Sequence, residues 1–352
     1  MKNFLIYGSY GYTGSLIVEQ AVKAGLKPLL AGRDEKLLRA QAARAKFGLE
    51  YRAFSIEDSA ALDSALLEVD AVLHCAGPFV LTFRQMAEAC IRTKRHYVDI
   101  SGEIEGFEAL AAMDEEAKRA GVMLLPGGGF DVVPSDCLIA HVAGKLAGAT
   151  HIELYIKSIG SGISRGTARS GIENSHRQGR IRRDGKIISV PNVWGIKDVD
   201  FGRGATRLVS IGWGDVSTAY HSTGIPNVTV YMGFPAAMVN MLRLTRFAGA
   251  LLYTRAARDF IKWIIGKFFA PGPSRKQNEN GFGLLIAEVT DGKQTVRAKM
   301  RTPEGYYLTA LTSVEIMKRI LSSDYKTGFQ TPSRVYGADF ILQFKNVERM
   351  DL

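Results

Sequence analysis

Cysteine is scarce in this chain. Only Cys75, Cys90 and Cys137 occur in 352 residues, with neither a CxxC pair nor an even set, so a disulfide framework and a structural zinc site are both excluded. A reducing compartment fits. The six histidines are scattered, with no HExxH or paired spacing, and no metal is expected. No tyrosine has a lysine four positions later, which removes the Tyr–Lys pair of short-chain reductases. The opening run Met1 to Gly8 carries one basic residue and is too short in apolar residues for a signal peptide, so a cytoplasmic location is expected. Long apolar runs are also missing. The nearest to one is 236–253, but Arg243 and Arg246 near its centre would each cost about 2.5–3.5 kcal/mol in a bilayer, so it is not read as a spanning helix.

What is present is an ordinary globular composition, 46% hydrophobic and 23% charged, with length for two domains. The net charge of +10 is unevenly spread. Residues 1–150 hold 16 Lys and Arg against 19 Asp and Glu, and the rest hold 29 against 16. The second part therefore carries all the positive excess, as a domain facing anionic groups or a membrane surface does.

The first 130 residues alternate short apolar runs with helical segments. Strands are expected at Asn3–Tyr7, Lys27–Gly32, Tyr51–Ser55, Asp70–Cys75, His96–Ile100 and Val122–Leu125. Runs apolar on both faces, separated by helices, imply a doubly wound parallel sheet of the α/β class. Beyond residue 150 the helical rhythm fades, and strands such as His151–Ser158, Lys186–Val190 and Asn227–Tyr231 imply an α+β domain on a mixed, mainly antiparallel sheet. A helical pattern covers Phe234–Phe269. Asp291-Gly292 then marks a hairpin between Gly283–Thr290 and Thr295–Arg301, and a last helix covers Leu308–Leu321. The domains are read as 1–135, 136–308, and a C-terminal helix and tail at 309–352 returning to the first.

Gly8-Ser9-Tyr10-Gly11-Tyr12-Thr13-Gly14 follows the first strand and opens a helix. Glycines there allow a tight turn and close approach of backbone to a pyrophosphate, while the first helical amides point at the phosphates. The spacing GxxGxxG approximates the Rossmann fingerprint GxGxxG. The second strand ends in Ala31-Gly32-Arg33-Asp34, where an acidic residue would bind the ribose of NAD. A guanidinium suits the 2′-phosphate of NADP, so NADP is favoured over NAD. The other reading has Arg33 and Asp34 merely opening the next helix, with Asp34 as its cap. The fourth strand runs into Cys75-Ala76-Gly77-Pro78, expected to flank the nicotinamide, with Cys75 read as a packing residue rather than a nucleophile. His96–Glu103 and Pro126–Asp136 reach the same sheet edge.

These motifs, with Gly77-Pro78-Phe79, His96-Tyr97-Val98-Asp99, Gly102-Glu103 and Gly129-Phe130-Asp131, occur in an order that resembles the saccharopine dehydrogenase-like family of NAD(P)-binding oxidoreductases. More narrowly the chain is similar to the branch of trans-acting enoyl reductases and membrane-associated saccharopine dehydrogenase-like oxidoreductases. The matches are dense over 1–136. Ser164 to Ala168 and Gly305 to Ala310 continue them. Thr82-Phe83 stands where the family often has Tyr-Gly, and Val132 where it often has Ser, so the family's substrate contacts are not carried over to these positions. The resemblance implies an NADP-dependent oxidoreductase.

Two basic features concern the second domain. Arg165, Arg169, Arg177, Arg180, Arg182, Arg183 and Lys186 read either as a solvated hairpin or as a holder of anionic groups. In Arg255–Phe268, Arg255, Arg258, Asp259 and Lys262 fall on one helical face and Ala257, Phe260, Ile261, Ile264 and Phe268 on the other. That helix packs on the core or a second subunit of a homodimer, or touches a membrane surface or a lipid-like substrate. No nucleic-acid recognition motif accompanies the charge. Two functions follow. One is hydride transfer to or from a small, hydrophobic or acyl-type substrate by enoyl or carbonyl reduction, with Tyr97, Asp99, Asp131 and His221 as candidate proton donors. A saccharopine-type amino-acid conjugate is the alternative substrate. The other is an NADP-occupied adaptor that docks on a membrane or a partner.

Overall fold

The computed structural model describes residues 3–45, 48–174, 178–202, 204–236, 238–240, 243 and 254–352. It divides into two compact units, 1–131 with 306–335 and 132–305 with 336–352.

Unit 1 is built on β1 (Phe4–Tyr7), β2 (Leu29–Gly32), β3 (Tyr51–Ala53), β4 (Ala71–His74), β5 (His96–Asp99) and β6 (Met123–Leu125). Each lies within the run expected for it. Every residue of β1, β2, β4 and β6 is buried, as strands covered on both faces must be. The connecting helices are α1 (Tyr12–Lys23), α2 (Glu35–Arg44), α3 (Ser59–Leu67), α4 (Phe83–Thr93), α5 (Ile104–Ala111) and α6 (Asp114–Ala120). Local chemistry sets their ends. The Asp34 carboxylate accepts from the Leu37 amide at 3.0 Å to start α2, and Asp58 accepts from Ala61 at 3.1 Å to start α3. Gly121, at φ 73°, ends α6 in the left-handed region. α1 buries Gly14, Ile17, Val18 and Ala21, one stripe of its surface.

In the second unit the chain forms α7 (Val133–Ala143), β7 (His151–Ile159), α8 (Arg165–Asn174), β8 (Gly179–Arg183), β9 (Lys186–Val190), β10 (Ile196–Asp200), β11 (Ala205–Ile211), α9 (Asp215–Thr223), β12 (Asn227–Met232), α10 (Arg255–Phe268), α11 (Arg275–Asn280), β13 (Phe282–Thr290) and β14 (Thr295–Pro303). It then returns to unit 1 as α12 (Gly305–Leu321) and β15 (Gly328–Phe329), and α13 (Pro332–Tyr336) and β16 (Glu348–Asp351) follow.

The first sheet has the order β15-β6-β5-β4-β1-β2-β3, parallel throughout. Strand order reverses between β1 and β4, and in such sheets a ligand crevice opens there beyond the carboxyl ends. The seventh strand, β15, supplies two residues from far along the chain and was not anticipated.

The second sheet runs β10-β11-β12-β7-β13-β14-β16, with β8 joining β12 and β9. Only the β7–β12 pair is parallel, so the sheet is mixed. α7 packs on β13 and β14 and α9 on β12. Another face buries Tyr155, Leu208, Tyr231, Leu284 and Ile286 with Val199 and Phe201. The tail departs from its expected place: residues 336–352 belong to unit 2, because β16 pairs with β14 and Asp351 bonds His141 and Lys145 of that unit. The apolar stretch 236–253 and Arg177 lie largely or wholly outside the described residues. No helix among the described residues is long and apolar enough to cross a membrane.

Candidate functional site

The turn from β1 to α1 is set by backbone contacts that leave no room for side chains. Gly8 has φ +83° and donates to the Ala31 carbonyl at 2.8 Å, and a Cβ on it would stand 3.0 Å from Ala76 at the end of β4. Gly14 is tighter. Its Cβ would lie 2.4 Å from the Gly8 carbonyl oxygen, so only glycine lets α1 start this close to the loop. Gly11 is the N-cap and offers no side chain to the first amides of α1, at Tyr12 and Thr13. Those amides are the phosphate donors such turns use.

Three further side chains fix the turn. Gln41 of α2 donates to the Ser9 carbonyl at 2.8 Å, and its own amide oxygen accepts from the Ser9 hydroxyl at 2.8 Å. Tyr10 lies over Gly32, where a Cβ would be 2.5 Å from its ring, and its hydroxyl accepts from the Arg33 and Asp34 amides at 3.2 and 3.3 Å. Tyr12 meets Tyr306 of α12 edge to face at 5.2 Å between centroids. Asp34 does cap α2, as the helix-opening reading had it, yet Arg33 stays exposed beside it. An open concavity of about 620 Å³ is lined by Tyr10, Arg33, Asp34, Glu35 and Leu37. A glycine N-cap, a cradle that a Cβ would fill and an exposed guanidinium suit an adenine dinucleotide.

The loop after β4 is held from beneath. The Glu103 carboxylate accepts from the Phe79 amide at 3.1 Å and from Val80, and burial raises its pKa. The Gly77–Pro78 bond just before is cis. His74 is fully buried and bonds the Thr82 hydroxyl at 2.8 Å, and that hydroxyl donates to the Ala76 carbonyl at 2.8 Å. His74 must therefore donate through Nε2. Desolvation lowers its pKa to about 3, so it stays neutral. Burial pushes the Cys75 thiol far up, with the charge of Asp99 adding, so it is no thiolate nucleophile.

Tyr97 and Asp99 are committed to each other. The buried Tyr97 hydroxyl donates to Asp99 at 2.6 Å, and the carboxylate also accepts from the Ser101 and Gly127 amides at 2.9 Å. Their bonds join the end of β5 to the Gly127–Gly129 loop, which makes them positioning residues. Thr309 and Thr312 of α12 grip the same loop, through the Phe130 amide and the Gly128 carbonyl, both at 2.9 Å. Asp131 is different. It packs against Gly102, and desolvation, with the Glu103 charge adding, pushes its pKa up to about 7. His221 lies on α9 in unit 2.

The basic stretch divides into separate tasks. Arg182 is buried, donates to the Val216 and Gly185 carbonyls at 2.9 and 2.7 Å, and stacks 4.3 Å from the Tyr220 ring. Arg180 bonds Ser189 across the β8–β9 hairpin at 2.7 Å. Arg165 donates to the Phe269 carbonyl at 2.8 Å. Sequence reasoning missed Gln41, the Glu103 clamp, His74 and the two threonines, because each partner lies in a different segment.

Residues 4–125 match the family described as saccharopine dehydrogenase NADP binding domain. A lipid droplet localized protein of Caenorhabditis elegans is 27% identical over 166 residues, covering 44% of this chain and 39% of that protein. A trans-acting enoyl reductase of Mycobacterium leprae is 28% identical over 142 residues, 38% of this chain and 34% of that one. The chain thus spans less than half the length of these relatives. The solved apo saccharopine dehydrogenase (L-Glu forming) from Saccharomyces cerevisiae shares the fold over 100% of both chains, with a TM-score of 0.66 and 14% identity. Unit 1 is therefore a nicotinamide-dinucleotide domain.

Proposed function

We propose, from a chain whose residues 4–125 match the saccharopine dehydrogenase NADP binding domain, an oxidoreductase that uses NADP(H) on a hydrophobic or acyl-type substrate, reducing an enoyl or carbonyl group. The observation that carries this is the glycine turn before α1, where a Cβ on Gly8 or Gly14 would crowd the backbone, with Arg33 exposed at the end of β2. The Tyr12 and Thr13 amides would hold the pyrophosphate, and Arg33 would pair with the 2′-phosphate of the bound dinucleotide. Cys75, Ala76, Gly77 and Pro78 line the nicotinamide end, where small residues and an uncharged thiol leave the ring close to backbone. The bound dinucleotide supplies the hydride. Of the four candidate proton donors, Asp131 has the pKa suited to holding a proton near neutrality. The relative named as a trans-acting enoyl reductase supports the acyl class of substrate.

Titration with NADPH and NADH tests the cofactor. Arg33→Asp should weaken NADPH binding about tenfold or more, the worth of a charged hydrogen-bonded pair, and NADH binding far less. Equal losses, or tighter NADH binding by the unaltered protein, overturn the NADP assignment. NADPH oxidation with medium-chain enoyl thioesters and ketones tests the reaction, and no turnover with either class overturns it.

A further inference from the structure

α10 is amphipathic the wrong way round for a helix resting on its own protein. Its inward side carries charge: Lys262 pairs with Glu173 of α8 at 2.7 Å, and Arg258 lies 3.8 Å from the same carboxylate. Arg165 of α8 caps the other end through the Phe269 carbonyl, and a Cβ on Gly266 would meet the Arg169 guanidinium at 2.5 Å. Among the described residues of α10 Ile265 is the buried hydrophobe, with Ala257, Ile261 and Ile264 half-buried. The outward side is aromatic. Phe260 is 61% exposed, Trp263 57% and Phe268 71%, and Phe269 beside them is 48% exposed. Phe260 and Trp263 stack at 6.0 Å, and the Lys267 ammonium sits 5.2 Å from the Trp263 ring and 5.6 Å from Phe268.

The sequence placed Arg258 and Lys262 opposite the hydrophobes, which would either pack inward on the core or a second subunit or meet a membrane with those cations at the head groups. The structure uses both on Glu173, and that ion pairing is what turns the rings outward. A cluster of four large rings in water is unfavourable and marks an interaction surface.

We propose that the α10 face of Phe260, Trp263, Lys267, Phe268 and Phe269 docks on an anionic phospholipid surface. Trp and Phe at the depth of the head groups, with a lysine whose stem lies along the rings and whose ammonium reaches the phosphates, is the chemistry of a helix lying in that interface. The positive excess of unit 2, 26 basic against 15 acidic over residues 132–305 and 336–352, draws it to an anionic membrane and opposes a second copy of the chain on the same face. The contact is peripheral and concerns unit 2, so it stands apart from the reading of unit 1.

The test uses the full chain and vesicles of phosphatidylcholine alone or mixed with phosphatidylserine. Trp194→Phe with Trp213→Phe leaves Trp263 as the sole tryptophan. Its emission should shift to the blue and be quenched by brominated lipid on the mixed vesicles, less on neutral ones, and the effect should shrink with added salt. Co-sedimentation should fall about tenfold or more in Phe260→Ser with Trp263→Ser, with an unchanged melting temperature, since the rings are exposed. Absence of a Trp263 shift with anionic vesicles overturns the proposal. So does undiminished sedimentation of the serine variant, or a blue shift that grows with protein concentration without lipid, which would assign the face to a second copy.

Discussion

The two sheets handle polar residues in opposite ways. In the parallel sheet the strands share one direction, so their carboxyl ends form a single edge, and Tyr10, Arg33, Tyr97, Asp99, Glu103 and Asp131 all belong to loops or strand ends at that edge. In the mixed sheet no common edge exists, and polar side chains pair across strands instead: Glu153 with Lys197, Glu288 with Arg297 at 2.9 Å, Arg207 with Asp198 at 3.1 Å. The difference teaches where to look for chemistry. Polar groups of the first sheet gather at the one edge where parallel sheets open a ligand crevice, with Asp99 and Glu103 bracing its loops, while charges in the second sheet mostly stabilise the sheet itself.

The largest expected effect belongs to the first sheet. Gly14→Val should lower dinucleotide affinity about a hundredfold or more, because its side chain would occupy the space between α1 and the Gly8 carbonyl that the turn requires. Calorimetric titration reads the loss directly. Retained affinity would show that the pyrophosphate sits elsewhere.

Next is Arg182, among the described residues of the basic stretch the buried cation that the second sheet uses. Arg182→Met should cost about 2–4 kcal/mol, through two carbonyls left without their donor and a lost ring stack. Urea unfolding measures it. A stable variant that has instead lost affinity for an anionic ligand would blur the contrast between the sheets.

Asp131 sharpens the contrast through pH. Its folded pKa of about 7 lies above the ordinary 3.8, so between those values the native state holds a proton that the unfolded chain has released. Stability then falls as pH rises through that window and levels off above it, by at most about 1.4 kcal/mol per pH unit. Asp131→Asn should remove that slope from melting curves taken between pH 5 and 8, a range chosen around that pKa. The smallest effect is expected for Lys197→Met, since an ammonium left partly exposed in a cross-strand pair contributes under about 1 kcal/mol.

Much of the first unit was legible because β1, β2, β4 and β6 are continuous apolar runs and the glycines recur at the spacing a phosphate turn needs. β15 was not: Gly328-Phe329 is too short to carry a pattern, and only its pairing with β6 makes it a strand. β8, β10 and β11 were hidden for another reason. Arg180, Lys197, Asp198 and Arg207 interrupt the apolar residues of these strands, and the charges read as loop. Within the site, Gln41 and Glu103 act on residues more than twenty positions away, beyond the reach of any local motif. The inward face of α10 is not legible in its own sequence because Glu173, which draws its cations inward, sits on another helix.

β15 also bears on how the protein is made. The strand that closes the edge of the first sheet, and the helix whose Thr309 and Thr312 hold its glycine loop, leave the ribosome only after the whole of residues 132–305. Unit 1 is therefore discontinuous, and its nascent form must wait with β6 as a bare edge while the intervening chain is synthesised. Such contacts of high sequence separation slow folding, and an unpaired strand edge invites association with other chains. A fragment ending near residue 131 would contain the whole phosphate turn and still lack the means to finish its own sheet.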